Sequence, residues 1–185
     1  MNITFIGVSS CIPDPGKEMA SFVIDGKHLV DTGWCSVLKM REFGLDPLAL
    51  ESILFTHFHQ DHYLGLPQAL FYLGLCGREI RKTPLTIIGP EAHLERIVHA
   101  AEEFLQSSRF PELKVKRRLI PIAPGGSFEL GTLRFETCAA LHHSSSQRVE
   151  QALVYKVIQK SEGVSVVFTG DTHYHPPIAE FAKGA

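Results

Sequence analysis

The stretch FTHFHQDH (residues 55–62) decides how the rest of this chain is interpreted. It places three of the ten histidines, His57, His59 and His62, together with Asp61 within six consecutive positions. At the chain's own composition, such crowding would arise by chance in roughly one sequence per thousand. A polar loop or an incidental histidine-rich tract is the simplest explanation, and a metal site is the sharper alternative.

The residues before the histidines predict how these side chains point. SILF (52–55) is a short apolar run typical of a buried strand. An extended chain sends alternate side chains to the same side, so His57 and His59 can face one metal ion. Asp61 and His62 are adjacent, point differently and suit a second ion close by. Imidazole binds zinc, iron or copper, and a carboxylate can bridge two ions.

Two later segments offer further ligands at the ends of predicted strands. VSVVFTGDTHYH (164–175) places Asp171 just past a strand, and ALHHSSS (140–146) carries His142 and His143. Functional residues commonly lie where strands end and loops meet. Structural zinc usually has four Cys or His ligands, and no cysteine lies near this cluster. A catalytic metal site is therefore favoured over a structural one.

The composition is that of an ordinary globular chain. Its 185 residues are 44% hydrophobic and 21% charged, with a formal net charge of −2. These values predict one domain with a sizeable core and no general attraction to nucleic acid or anionic membranes. The first ten residues, MNITFIGVSS (1–10), lack the features of a signal peptide. The chain also contains no run of ~18 apolar residues, the length needed to span a bilayer. The four cysteines are scattered, which favours free thiols in a reducing compartment, so we expect a cytoplasmic protein.

Strand and helix patterns are mixed along the chain. ASFVIDGKHLVDTG (20–33) predicts a hairpin around Asp25-Gly26, a dipeptide that suits a tight type I′ turn. Residues 35–45, 63–75 and 91–107 have helical character, and most of the chain after residue 113 is strand-like. Hairpins are too frequent for a purely parallel sheet. The pattern predicts an α/β fold in which two packed sheets have helices outside.

Two motifs identify a family that this chain resembles. THFHQDH (56–62) matches the T-H-x-H-x-D-H signature of the metallo-β-lactamase superfamily, and FTGDT (168–172) matches its later Gly-Asp-Thr motif. The resemblance begins at IGVSSCIPDP (6–15), includes VDTG (30–33) and continues to the end of the chain. In detail the chain is similar to the ribonuclease Z/phosphodiesterase branch. The resemblance implies a four-layered αβ/βα sandwich, the metallo-β-lactamase fold.

The resemblance also implies roles for the matching residues. His57 and His59 would bind a first metal ion, Asp61 and His62 would bind a second, and Asp171 would bridge both. Asp61 and Asp171 would also take part in catalysis. The implied cofactors are two divalent ions, with zinc expected and manganese or iron as alternatives.

One further ligand is implied by the LHHS stretch (141–144). We expect His143 to be the third histidine of the first ion, because the family's histidine here is typically followed by Ser or Pro, with His142 as the alternative. Asp31, in the VDTG stretch, would form a hydrogen bond to a ligand histidine and fix its tautomer.

Two departures from the branch limit what the resemblance implies. Ribonuclease Z carries a long arm that grips tRNA between the third-histidine motif and the Gly-Asp-Thr motif. Here only 27 residues separate His143 from Asp171, and two predicted strands occupy them, so we expect no arm. The family's Gly-Glu-Gly is replaced by DTGWCS (31–36). Processing of tRNA ends is therefore doubtful.

The end of the chain is the other expected difference. We expect residues 1–185 to form a single domain of the metallo-β-lactamase fold that lacks its usual last strands and helix. The second ion would then lack its last histidine, for which His173 or His175 could substitute.

Together these observations predict a metal-dependent hydrolase in which a metal-bridging hydroxide attacks a phosphodiester, either RNA or a small molecule. The alternatives are an esterase or lactonase with the same metals, and a non-catalytic metal-binding or sensing protein. We expect no membrane partner. A homodimer formed through the apolar helix at 63–75 is possible.

Overall fold

The computed structural model describes residues 1–143 and 151–185. The described chain contains ten strands in two sheets: β1 (Ile3–Gly7), β2 (Ser21–Ile24), β3 (His28–Val30), β4 (Ser52–Leu54), β5 (Leu85–Pro90), β6 (Arg117–Ile122), β7 (Ser127–Leu130), β8 (Leu133–Ala139), β9 (Leu153–Gln159) and β10 (Ser165–Phe168). Its helices are α1 (Ser36–Glu42), α2 (Gln60–Tyr63), α3 (Leu66–Gly77), α4 (Leu94–Phe104) and α5 (Pro176–Phe181).

The first sheet has six strands in the order β1-β2-β3-β4-β5-β6. The first three are antiparallel, and β3 to β6 are parallel to one another. The β2–β3 hairpin turns at Asp25 and Gly26, whose φ angles of 50° and 71° are those of the predicted type I′ turn. Because parallel strands end at the same edge, the loops that follow β3, β4 and β5 lie side by side there.

The second sheet has four antiparallel strands in the order β10-β9-β8-β7. Two hydrogen bonds join it to the residues that follow β4. The Leu153 N–H donates to the Thr56 carbonyl at 2.8 Å, and the buried Tyr155 hydroxyl donates to the Phe55 carbonyl at 2.9 Å. The histidine segment is therefore held between the two sheets.

The buried side chains divide the fold into four layers. One core cluster lies between the first sheet and helices α1, α3 and α4, and includes Val37, Leu70 and Val98. A second cluster joins the two sheets, with Ile24 and Leu54 opposite Phe135. A third, smaller cluster packs α5 on the outer face of the second sheet. This arrangement confirms the predicted αβ/βα sandwich.

The predicted helices are present with shifted ends. The predicted helix at 63–75 corresponds mainly to α3; its first residue, Tyr63, ends α2, and Gly65 lies between the two helices. The predicted helix at 91–107 corresponds to α4. Across residues 1–143 and 151–185, no helix has both the length and the apolar character needed to cross a membrane.

Candidate metal centre

The residues singled out in the sequence converge at the edge where β4 ends. His57 follows β4 and is fully buried, and α2 begins directly after His59. Asp171 follows β10, and His142 lies three residues after the end of β8. Three separate parts of the chain thus supply side chains to one place.

The first group of side chains consists of three histidines. One ring nitrogen from each of His57, His59 and His142 lies within 4.8 Å of the others. The ring centroids are 4.6 to 4.8 Å apart, and His142 Nε2 is 2.9 Å from His59 Nδ1. Three imidazole nitrogens converging at this distance could hold one metal ion.

The geometry favours His142 over His143 as the third histidine of this group. The Leu141 N–H donates to Thr172 Oγ1 at 3.1 Å, and the His173 N–H donates to the Leu141 carbonyl at 2.8 Å. These bonds hold the backbone so that His142 turns towards His59, whereas the His143 ring lies 5.5 Å from that of His173. The preference for His143 rested on the residue that follows it, and residue 144 lies outside the described residues.

The second group shares His57 with the first. Ligand atoms of His57, His62 and Asp171 all lie within 4.8 Å of one another. His62 Nε2 is 3.4 Å from Asp61 Oδ2 and 3.7 Å from Asp171 Oδ1. His57 therefore stands between the two groups, and the carboxylates of Asp61 and Asp171 lie on the His62 side.

Asp31 contacts the ring of His62. Asp31 Oδ2 lies 2.8 Å from His62 Nδ1, so Nε2 faces the carboxylates of the second group. The Asp31 carboxylate also accepts hydrogen bonds from the Thr56 N–H at 2.9 Å and the Thr56 hydroxyl at 2.8 Å. Thr56 Oγ1 in turn lies 3.1 Å from His57 Nδ1. One buried carboxylate thus supports both histidines that flank the centre.

His57 provides a direct test of whether the site fits a metal ion. Its Nε2 atom is buried and has no hydrogen-bond partner in the described part of the chain. Burial, together with the neighbouring His62, lowers the pKa of His57 to about 2, so its ring is neutral and its nitrogen lone pair is available. Burial and the nearby His59 also lower the pKa of His142. A buried, unpaired and neutral imidazole nitrogen is what a divalent ion would satisfy.

The second group creates a field that attracts positive charge. Burial lowers the pKa of His62, but the carboxylates of Asp31, Asp171 and Asp61 outweigh it and raise this pKa to about 10. The hydrogen bond to His62 holds the pKa of Asp171 at about 2. These carboxylates stabilise either a proton on His62 or a cation in its place.

Gly170 explains the glycine of the Gly-Asp-Thr motif. Its φ is +55°, and a Cβ atom there would lie 3.0 Å from Thr56 Cβ. The absence of a side chain lets the Asp171 loop approach the histidine segment closely.

His173 and His175, which could have replaced the last histidine of the second ion, do not belong to either group. The His173 ring lies 5.5 Å from the His143 ring, and His175 lies at the start of α5. The sequence reasoning also missed Thr56 and Thr32, although Thr56 is the first residue of the motif. The Thr32 N–H donates to the His62 carbonyl at 2.8 Å, which fixes the backbone of the second group.

Comparison with known proteins places these observations in a family. The family model described as "Beta-lactamase superfamily domain" matches residues 27–185. Ribonuclease Z of Pyrococcus abyssi is 36% identical over 100 residues, which cover 52% of this chain and 32% of that protein. Ribonuclease Z of Pyrococcus furiosus is 29% identical over 229 residues, which cover all of this chain and 72% of that protein. The chain spans about a third of the length of several curated relatives that it matches.

Solved structures show the same architecture. The short form of human tRNase Z superposes with a TM-score of 0.75 over 92% of this chain and 69% of that chain, at 21% sequence identity. At this level of identity the similarity concerns the fold. It agrees with the four layers described above.

Proposed function

The chain belongs to the metallo-β-lactamase superfamily, and from that membership we propose that it is a metal-dependent hydrolase of phosphodiesters. The observation that carries the proposal is the pair of side-chain groups that share His57, since each could hold one divalent ion. His57, His59 and His142 would hold the first ion. Asp61, His62 and Asp171 would hold the second, with Asp171 also reaching the first.

The donor set supports zinc as the metal, with manganese or iron as alternatives. Imidazole nitrogen suits zinc and iron, and carboxylate oxygen on the His62 side also suits manganese. Divalent ions bound there would supply a hydroxide nucleophile near neutral pH, bridging the two ions, and would offset the negative charge of a phosphodiester.

The protein's own residues have distinct tasks in this proposal. Asp31 holds His62 Nδ1 and so presents Nε2 to the centre. Asp61 and Asp171 face the same side, and Asp171 is about half exposed, with 47% of its side chain accessible. Asp171 can therefore contact a substrate, whereas the buried His57 cannot.

A phosphodiester is favoured because of the relatives named Ribonuclease Z. The alignment with the Pyrococcus furiosus protein is 229 residues long, whereas this chain has 185, so that relative contains at least 44 aligned residues absent here. Between His143 and Asp171, the described chain contains only β9 and β10. We therefore propose RNA or a small-molecule phosphodiester as substrate, without specifying tRNA ends.

The test combines metal analysis with hydrolysis of bis(p-nitrophenyl) phosphate. We expect two ions per chain and turnover that Asp171→Ala abolishes. Asp14→Ala is the matched control, because Asp14 is exposed and pairs only with Lys17 in the described structure. Two ions without phosphodiester turnover, but with hydrolysis of p-nitrophenyl acetate or a lactone, would replace this proposal with an esterase or lactonase. Absence of tightly bound metal would contradict the catalytic proposal.

A further inference from the structure

The loop between β1 and β2 (residues 8–20) contains a buried carboxylate outside the metal centre. Most of the loop is exposed, but Glu18 is only 2% exposed. Two backbone hydrogen bonds close the loop at its base, from the Ser9 N–H to the Glu18 carbonyl at 3.0 Å and from the Ala20 N–H to the Ser9 carbonyl at 3.1 Å. A buried carboxylate is costly unless hydrogen bonds compensate its lost hydration. The partners of Glu18 therefore indicate why it is there.

Among residues 1–143 and 151–185, the partners of the Glu18 carboxylate are all neutral donors. Oε1 accepts from the Met19 N–H at 2.8 Å and the Trp34 N–H at 2.9 Å. Oε2 accepts from the Cys35 N–H at 2.8 Å and the Cys35 thiol at 2.6 Å. Burial and the hydrogen bond to Glu18 raise the pKa of Cys35 to about 11, so the thiol stays protonated and keeps donating. Three of these four bonds lead to one short turn, residues 31–35.

The other end of this turn holds His62. Thr32 donates to the His62 carbonyl through its N–H at 2.8 Å and its hydroxyl at 3.1 Å. Asp31 contacts His62 Nδ1 at 2.8 Å, and the Gly65 N–H donates to the Gly33 carbonyl at 2.7 Å. A single turn thus connects the Glu18 carboxylate to the backbone and the ring of His62.

The backbone of the turn needs such support. Asp31 has a φ of 53°, a left-handed conformation that is uncommon for a residue other than glycine and is retained where the surrounding contacts hold it. Gly33 has a φ of 51°, and a Cβ atom there would lie 2.5 Å from Glu18 Oε1. The Glu18 carboxylate therefore packs against the turn where a side chain at residue 33 would otherwise lie.

We propose that Glu18 is a positioning residue for the metal centre: its carboxylate holds the turn at residues 31–35 in the shape in which Asp31 and Thr32 orient His62. The consequence for metal binding rests on the proposed function. The orientation of His62 itself does not, because the contacts that set it come from protein groups alone.

The test compares Glu18→Gln with a matched control. Glutamine keeps the size of the side chain but directs an amide N–H₂ at backbone N–H groups, which cannot accept it. Glu42→Gln is the control, because Glu42 is an exposed glutamate on α1 that pairs with Lys39.

The first measurement is the rate of proton exchange at His62 Nδ1–H in metal-free protein. NMR with labelled histidine measures this rate, and the signal is assigned by its loss in His62→Ala. We expect exchange to be about tenfold faster in Glu18→Gln, because a hydrogen bond to a charged group is lost, and unchanged in Glu42→Gln.

The second measurement is zinc affinity in a double-mutant cycle with Asp31→Asn. We expect the affinity for one of the two ions to fall about tenfold in Glu18→Gln, with little further loss when Glu18→Gln is added to Asp31→Asn, because both changes act through the same turn. Losses that add in full would indicate a general effect on stability and would overturn the proposal.

Unchanged exchange at His62 in Glu18→Gln would also overturn it. If Glu18→Gln speeds proton exchange at His62 but the protein binds no zinc, the result would support the positioning role and contradict the proposed function instead. If Glu18→Gln does not fold, Cys35→Ala replaces it. That change removes only the thiol donor and should speed the exchange about threefold, and no change there would overturn the proposal.

Discussion

Replacing Asp31 by asparagine tests the part of the metal centre that the structure describes in most detail. The change preserves the size of a buried side chain and removes its charge. In the native protein Oδ1 accepts one hydrogen bond, from the Thr56 N–H, and Oδ2 lies within hydrogen-bond distance of both the Thr56 hydroxyl and His62 Nδ1. Asparagine can keep the first bond through its carbonyl oxygen. It can also donate to the Thr56 hydroxyl, which can act as an acceptor.

The interaction with His62 is the one that asparagine cannot preserve. An amide N–H₂ facing Nδ1 favours the tautomer that carries its proton on Nε2, the atom needed for a metal ion. A hydrogen bond to a charged group contributes about 1.5–3 kcal/mol, which corresponds to a loss of about 10- to 150-fold in an equilibrium constant. Loss of such a supporting residue typically reduces metal affinity 10- to 100-fold. We therefore expect the affinity for one ion to fall in that range and the other to change little.

A competition titration of zinc against a chromophoric chelator measures both affinities. Asp46→Asn is the matched control, because Asp46 is an exposed aspartate whose Oδ1 accepts a hydrogen bond from the Leu48 N–H, far from the histidines in sequence. Thermal unfolding of the metal-free variants shows whether Asp31→Asn still folds. Equal zinc affinities in Asp31→Asn and the native protein would refute the argument that Asp31 prepares His62 for a metal ion.

Three further predictions follow from the same geometry. His142→Ala should reduce bound metal and phosphodiester turnover at least tenfold, whereas His143→Ala should reduce them less; the opposite order, measured by metal analysis and kinetics, would restore His143 as the ligand. Gly170→Ala should lower the free energy of unfolding by about 1–3 kcal/mol, because its φ is +55° and Thr56 is close, and by more than Gly163→Ala, where φ is +67° and the space is open. The metal-free protein should lose thermal stability as the pH rises from about 6.5 to about 10. The pKa of His62 is raised to about 10 in the folded chain, so its stabilising proton is lost over that range. A melting temperature that stays constant over this range, or a His62→Ala variant with the same decline, would contradict this prediction.

Much of the fold could be predicted from local patterns. Asp25-Gly26 specified a turn because two positive φ angles suit few other residue pairs, and the helical spacing at 91–107 became α4. The ends of helices were less accurate. The helix predicted over 63–75 begins only at Leu66, because the break at Gly65 depends on the hydrogen bond of its N–H to the Gly33 carbonyl, 32 positions earlier in the chain. A contact that distant leaves no trace in local periodicity.

Some residues of the metal centre could likewise be predicted from the sequence, and others could not. The spacing of His57, His59, Asp61 and His62 was visible because the ligands come from one segment, and the strand-end position of Asp171 was visible in its motif. The choice between His142 and His143 could not be made from adjacent residues, because it depends on how Thr172 and His173 hold Leu141. The role of Glu18 could not be predicted from the sequence for a similar reason. Its partners at residues 34 and 35 are specified by the backbone path, which a sequence pattern does not contain.

The two halves of the centre differ in charge, and this difference predicts how ions would bind. The His57, His59 and His142 side consists of imidazoles, and the low pKa of His57 and the lowered pKa of His142 leave these two rings neutral at pH 7.5, so an ion there displaces no proton from them. His62 carries a proton at that pH, because the surrounding carboxylates raise its pKa to about 10, and an ion at Nε2 must displace it. Zinc binding should therefore release more protons from the native protein than from Asp31→Asn, in which His62 has lost one of those carboxylates. Calorimetry in buffers of different ionisation enthalpy counts these protons, and equal release from both proteins would show that His62 is not the group that gives up its proton.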